Sequence, residues 1–295
     1  MIHNPPVSNR FRALFAVICG VFLAGVVFCA RRPVVLVNDA AFALLYGKRR
    51  AWVKKAGLEL LLFRRIKTAV VAESAGPDLV SLAAAMASKR PYAVFFPYRY
   101  REGALRYHRD HPDAPAALLA GRKKPPESAA AEGGGLAWYS TDTPTDLYRA
   151  GFCAAALAGD GEILVIHSGA LAPEETAAFR AGAGTASVSF APPGMNAPER
   201  TACAVLPGTE KIPEGDTELP FILYTWLDPA LLPEEAAVVF SDSPWEALPA
   251  ALALLEEGQL LGTIPSEITV LGKKTRDLST VQIKRLIFSP AGADN

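Results

Sequence analysis

The chain carries no surplus of either charge: 30 Lys and Arg stand against 30 Asp and Glu in 295 residues. Nucleic-acid binding rests on neutralising phosphates, so this balance argues against a nucleic-acid partner. The glycine-rich phosphate loops of the Rossmann and Walker types are missing, and Gly-x-Ser-x-Gly does not occur. Only four cysteines are present, at positions 19, 29, 153 and 203, and none has the spacing of a metal site. His167 has no second histidine near it in sequence. No catalytic constellation emerges from these residues. A cofactor, a metal and an enzymatic role are therefore not expected.

What is present is apolar mass. Hydrophobic residues make up 51% and charged residues 20% of the chain, which reads as a globular body, and 295 residues are enough for two medium domains or one large one. Ala13 to Ala30 is an unbroken run of 18 uncharged, mostly apolar residues, with Arg10 and Arg12 before it and Arg31-Arg32 after it. That length lies between a signal-peptide core and a short membrane span. Three readings fit residues 1–32: an uncleaved anchor, a cleaved secretory signal, and a lipoprotein signal with Cys29 as the modified residue. Phe28 before Cys29 departs from the small residue a lipoprotein signal wants. Cleavage of the Ala-x-Ala kind is poorly matched, because two arginines follow Cys29-Ala30 at once; the anchor and lipoprotein readings are preferred, and both place the globular body outside the cytoplasm. Cys153 reads as a small buried side chain, and a Cys153–Cys203 disulfide is compatible with an oxidising compartment.

The best-formed unit is Thr141–Gly169. Thr143 as cap, Pro144 in the first turn and Asp146 near the free N–H groups start a helix with a narrow face of small residues. Gly159 and Asp160-Gly161 stop it. Ile163-Leu164-Val165-Ile166 then reads as a strand buried on both faces, the mark of a covered parallel sheet. Ligands in such sheets sit at the carboxyl ends of strands, which singles out His167-Ser168-Gly169.

Strand and helix alternate through the rest. Strands are expected at Pro33–Val37, Ile66–Ala72, Tyr92–Phe96, Ala114–Ala120, Leu136–Ser140, Ala186–Phe190, Leu219–Trp226 and Ala236–Phe240. One long helix is expected from Ala40 to Leu62, with Phe42, Leu45, Trp52, Ala56, Leu58, Leu61 and Leu62 facing inward. The alternation Tyr98-Arg99-Tyr100-Arg101 reads as solvated surface. Gly121–Gly135 is charged, then proline-rich, then Ala/Gly-rich, and divides the chain into halves. Ala191–Asp216 holds five prolines and reads as irregular, with an apolar interlude from Ala202 to Leu206. Ser243, Pro244 and Glu246 form a capping box before a helix ended by Gly258. The fold class is thus α/β, with two Rossmann-like lobes. The expected division is 1–32, signal or anchor; 33–140, N-terminal lobe; 141–263, C-terminal lobe; and 264–295, a tail whose Ile268-Val270 and Val281-Ile283-Leu286 alternate like peripheral strands.

Four segments in order resemble the basic-membrane-protein family of substrate-binding lipoproteins, which includes bacterial purine-nucleoside receptors. They are Asn38-Asp39-Ala40-Ala41-Phe42; Tyr107-His108-Arg109-Asp110-His111-Pro112-Asp113; Tyr148-Arg149-Ala150-Gly151-Phe152 with Gly161-Glu162-Ile163; and Val238 to Gly258. The resemblance implies a type I periplasmic-binding-protein fold, with two lobes closing on a ligand. It also implies a small polar, nucleoside-like ligand and an ABC-type permease as partner. The chain departs from the family at Ala41 and Ala43, at His167-Ser168-Gly169 where the family has Gly-Gly, and at Thr225-Trp226-Leu227-Asp228. The helix expected between Phe190 and Leu219 is missing or replaced.

The candidate ligand-binding residues are Asp39, Phe42, Asp142, His167, Ser168, Trp226 and Asp228. Phe42 or Trp226 would stack on a base, and Asp39, Asp142 and Asp228 would accept hydrogen bonds. Each has a plainer alternative: Asp39 as a helix cap, Phe42 as core, Asp142 and Asp228 as turn residues, His167 as a structural histidine. Two functions from different classes follow. One is a membrane-tethered extracytoplasmic solute-binding protein; the other is a degenerate binding fold acting as an envelope sensor or interaction module.

Overall fold

In the computed structural model the described residues are 9–125, 135–167, 169, 171–193, 199–207, 219–225, 227 and 231–271. Helix α1 (Asn9–Ala30) comes first. Sheet one is then built from β1 (Val34–Asp39), β2 (Ile66–Val71), β3 (Ala93–Pro97), β4 (Ala116–Gly121) and β5 (Ala137–Thr141). Its helices are α2 (Ala40–Leu45), α3 (Lys48–Leu62), α4 (Pro77–Ala87) and α5 (Arg101–Asp110). Sheet two holds β6 (Glu162–Ile166), β7 (Ser187–Ala191), β8 (Thr201–Leu206), β9 (Phe221–Tyr224) and β10 (Ala236–Ser241). Helices α6 (Thr143–Ala158) and α7 (Pro173–Ala183) serve it. Last come α8 (Pro244–Glu256), β11 (Leu261–Ile264) and β12 (Glu267–Val270).

The strand orders are β2-β1-β3-β4-β5-β11 and β7-β6-β8-β9-β10-β12. All pairings are parallel except β10 with β12. β1 and β10 are buried at all six positions. That is what a strand covered on both faces demands, and it explains runs such as Val34-Val35-Leu36-Val37 with no polar alternation. Two core clusters flank sheet one, through Leu36, Phe95 and Tyr139 on one side and Val35, Phe96 and Trp138 on the other. A third cluster, through Leu147, Ile163, Phe179 and Phe240, lies under α6 and α7.

Several expectations need correction. The helix foreseen over Ala40–Leu62 is two helices, because Gly47 takes φ 86° and turns the chain between them. Phe42 and Leu58 are buried, but Trp52 and Leu61 are 71% and 70% exposed. Trp52 and Ala56, which is also exposed, lie off the side of α3 that carries Leu58, whereas Leu61 lies on that side, three residues on, and is exposed in the last turn. Asp142, not Thr143, caps α6, accepting from the Thr145 N–H at 3.2 Å. Tyr100 is buried rather than solvated, and its hydroxyl donates to the Ala72 carbonyl. The capping box before α8 is half made: Ser243 Oγ accepts from the Glu246 N–H, while the Glu246 carboxylate turns to Tyr46 and Arg50. Cys153 and Cys203 are free thiols in one core cluster, and burial pushes the Cys153 thiol up to about 12.

The boundaries expected for the second lobe also differ from sheet membership. α8 packs into the core of sheet one through Trp245, Leu248 and Leu252, and β11 pairs with β5. The chain therefore crosses between sheets three times, after β5, after β10 and after β11. The cause is the apolar face of α8, which fits beside Val34, Leu36 and Phe95. In the tail, Ile268-Val270 falls in β12; Val281, Ile283 and Leu286 lie outside the described residues. Among the described residues no helix stands between β7 and β9, and the stretch expected to be irregular holds β8, whose apolar residues pair between β6 and β9.

Helices α6 and α7 meet backbone to backbone. A Cβ on Gly182 would run into the Tyr148 carbonyl, and one on Gly151 into the Phe179 carbonyl, with no flexible side chain to yield. Gly182→Ala should therefore cost about 2–3 kcal/mol in urea unfolding, as overpacking does. Gly57→Ala, where nothing lies within 4 Å of the added carbon, should gain about 0.5–1 kcal/mol from helix propensity. Equal effects at the two positions would refute this account of the α6–α7 contact.

Candidate functional site

A doubly wound sheet offers its ligand site at the carboxyl ends of strands, where the strand order reverses. In sheet one that point lies between β1 and β3. Asp39 ends β1 and is almost fully buried. Its Oδ1 accepts from the Phe42 N–H at 2.5 Å, capping α2, and its Oδ2 accepts from Arg99 Nη1 at 2.9 Å. Arg99 follows β3 and also reaches Glu73, which follows β2. Three strand ends are thus joined by one guanidinium whose side chain stays 41% exposed. Its carboxylate partners raise the Arg99 pKa further.

The second lobe brings its own strand ends against those of the first. The Arg122 guanidinium, just past β4, sits 4.5 Å from the centre of the Tyr224 ring at the end of β9. Tyr224 stacks on Phe240 at 4.8 Å. Asp242, just past β10, faces Gly121 so closely that a Cβ there would come within 3.2 Å of its Oδ2. Burial pushes the Asp242 carboxyl up, against the pull of Arg122 and a hydrogen bond with the Thr141 side chain.

Beneath this lies the lacing of the crossovers. The Asp142 N–H donates to the Ile264 carbonyl at 3.0 Å. Asp146, with no exposed surface, accepts from the Ser266 N–H at 2.9 Å, and Arg149 donates to the Ser266 carbonyl at 3.0 Å. Arg149 also stands 3.6 Å from the Asp146 carboxylate. Among the described residues, Asp146 Oδ2 and the Tyr224 hydroxyl have no hydrogen-bond partner. Burial pushes the Asp146 carboxyl up to about 6, opposed by the Ser266 hydrogen bonds and the two arginines. The Tyr224 phenol is raised, first by burial and then by the nearby Asp146 charge. On the far side, the Glu246 carboxylate accepts from Tyr46 Oη at 2.7 Å and from Arg50 at 3.2 Å; Arg50 also donates to the Leu227 carbonyl of the second lobe.

A cleft of about 630 Å³ opens at the β5–β11 edge, lined by Arg122, Thr141 and Asp142 with Glu174 and Glu175 from the start of α7. It does not coincide with the strand-order reversal where Asp39 and Arg99 stand.

The foreseen residues thus fall in different places. Asp39 has one hydrogen-bond partner on each carboxylate oxygen, and Phe42 packs on Tyr46 in the core, rings 5.2 Å apart. Asp142 caps α6 and lines the edge cleft. His167 follows β6, its ring nitrogen Nδ1 against the Gly169 carbonyl and its ring edge-on to Phe190. Ser168, Trp226 and Asp228 lie outside the described residues. Missed were Arg99, Glu73, Arg122, Tyr224, Asp146 and Asp242. Position at a strand's carboxyl end was the available signal for all but Asp146. Among the described residues no group of three or more His, Cys, Asp and Glu could hold a metal.

No family model matches the chain, and no curated protein matches it. Solved structures do. An ABC transporter solute-binding protein from Conexibacter woesei is 14% identical with a TM-score of 0.53, over 87% of this chain and 96% of that one. A transcriptional activator of the comK gene from Bacillus halodurans is 15% identical, TM-score 0.51, over 88% and 98%. An ABC transporter periplasmic solute-binding protein from Actinobacillus succinogenes, with bound D-allose, is 10% identical, TM-score 0.50, over 83% and 99%. The chain therefore has the type I periplasmic-binding-protein fold, with two Rossmann-like lobes.

The raised Asp146 carboxyl makes stability depend on pH. The folded chain holds this proton to about 6 against an ordinary 3.8, so the stabilisation is full below the lower value and lost as pH rises through the upper. The difference between the two values corresponds to about 3 kcal/mol. Asp146→Asn keeps an acceptor for Ser266 and should remove this loss. Urea midpoints of both proteins from about pH 4 to pH 7 test it; parallel curves would exclude Asp146 as the source.

Proposed function

We propose that the protein is an extracytoplasmic solute-binding protein. It is tethered to the membrane by its N-terminal segment and captures a small polar ligand between its lobes for an ABC-type permease. The observation that carries this reading is that strand ends of the two sheets meet, Arg122 against Tyr224 and Gly121 against Asp242, while a partly exposed arginine, Arg99, stands at the strand-order reversal of sheet one. A guanidinium held by two carboxylates is a preorganised fork for ligand hydroxyls or a carboxylate. The Conexibacter and Actinobacillus proteins are solute-binding proteins, and the latter holds D-allose. The family resemblance favours a nucleoside-like ligand, within the membership of the basic-membrane-protein group. Both kinds of ligand present ring hydroxyls that such a fork can engage. None of the three structural relatives reported above is described as an enzyme, which supports binding rather than turnover.

Helix α1 supports the tether. Val17, Val21, Phe22 and Leu23 are all more than 60% exposed, an apolar surface with no protein cover. The described side chains of α1 begin at Val17, and among the described residues no helix is long and apolar enough to cross a membrane. The apolar run from Ala13 is read from the sequence.

A second reading has an observation of its own. Asp39 and Phe42 are committed to a cap, an ion pair and the core, which favours an envelope sensor or interaction module that no longer transports.

Extraction of small molecules from the purified full chain, followed by mass spectrometry and thermal-shift screening with nucleosides and sugars, separates the two. A stoichiometric ligand that raises Tm supports capture, and Arg99→Ala should weaken it on the order of 10- to 100-fold, the worth of a charged hydrogen bond. An empty protein that responds to neither class would leave only the module.

A further inference from the structure

Helix α3 is built inside out. Leu58 is its one fully buried residue, while Trp52 and Leu60 are 71% and 79% exposed and Val53 is exposed beside them. Trp52, Val53, Ala56 and Leu60 follow the i, i+1, i+4, i+8 spacing of one helix face, so the stripe pointing away from the protein is the apolar one. The opposite edges of the helix are spoken for: Arg50 and Lys54 reach Glu246, and Lys54 reaches Glu267. Lys48 and Arg49, both exposed, stand at the start of the apolar stripe.

This face continues from α1. Phe28, near the end of α1, packs against Phe63, which caps α3, with ring centroids 5.7 Å apart, and the Arg31 guanidinium lies 5.0 Å from the same ring. Arg31 and Arg32 are exposed at that junction. An exposed apolar stripe with a tryptophan, bordered by Lys48, Arg49, Arg31 and Arg32, carries the complement of an anionic lipid surface: apolar area for the acyl boundary, an aromatic ring for the headgroup level, cations for phosphate.

We propose that the outward face of α3 docks on an anionic phospholipid bilayer, laying the first lobe against the membrane in which α1 is held. The inference rests on the membrane reading of α1 and adds an orientation to it. A tether alone leaves the lobes swinging. With α3 seated about 5–10 Å into the headgroup boundary, the side of sheet one that carries α3 faces the lipid.

The test uses the full chain reconstituted in phosphatidylcholine vesicles, with and without phosphatidylglycerol, containing lipids brominated on their acyl chains. The signal is the emission of Trp52, taken as the difference between the wild type and Trp52→Phe. Expected is strong quenching of Trp52 by the brominated chains. Val53→Glu with Leu60→Glu should abolish it while the protein still floats with the vesicles. Lys48→Gln with Arg49→Gln should lower the docked fraction only where phosphatidylglycerol is present, by on the order of tenfold in the docked-to-undocked ratio. Flotation without Trp52 quenching would overturn the docking and leave the tether standing. Failure to float would overturn both. Trp52 shielded from aqueous iodide yet indifferent to brominated chains would mean that a second protein copy covers the face, and would also overturn the proposal.

Discussion

Asp146 has no exposed surface, and its carboxylate accepts a hydrogen bond from the Ser266 N–H of the chain that returns between the lobes. Three crossings have to be held in register if two separate sheets are to act as one body. A backbone hydrogen bond from Asp142 to Ile264 fixes the first crossing to the third. The Asp146–Ser266–Arg149 group then ties the start of α6 to the same crossing. A buried carboxylate with one oxygen unpartnered is costly, and the upward shift of its pKa is that cost made visible. Apolar packing could bind the segments more firmly. It would not specify which backbone group meets which.

The same division of labour runs across the interface between lobes. The sheets are stabilised by dry cores, whereas what passes between them is polar: Arg122 on Tyr224, Arg50 to the Leu227 carbonyl, Lys54 to Glu267. Part-exposed pairs of this kind contribute little net energy each. Such contacts are broken and remade at less cost than a large apolar interface. A ligand gripped from both sides needs only a modest differential affinity to favour one lobe arrangement over another.

Much of the fold was legible because parallel strands covered on both faces leave unbroken apolar runs. Val34–Val37 and Ile163–Ile166 declare themselves in this way, and Ser243-Pro244 marks the start of α8 by its cap chemistry. Where α8 packs could not be read. Its apolar face fits either sheet equally well by periodicity, and only the three-dimensional fit to Leu36 and Phe95 decides. The site was legible by position and opaque by partner. Asp39 was found at its strand end, but its engagement by Arg99 depends on a residue 60 positions away. Arg99 itself sat in an alternation that looks like ordinary solvated surface. Phe42 had the chemistry for stacking and a helix spacing that fits core as well, and the core took it.

Helix α3 shows why hydrophobicity is a poor guide to burial at such places. Trp52, Leu60 and Leu61 invite an inward assignment, yet the inward positions go to Leu58 and to the stems of Arg50 and Lys54, whose charged heads need Glu246 and Glu267. Long basic side chains can cover apolar surface while their charges reach partners. Because Arg50 also bonds Leu227 and Lys54 bonds Glu267, the helix grips the second lobe along one edge and leaves its apolar stripe on the other. Whatever covers that stripe therefore acts on an element already attached to both lobes, so contact at the outer surface and contact between lobes share one rigid helix.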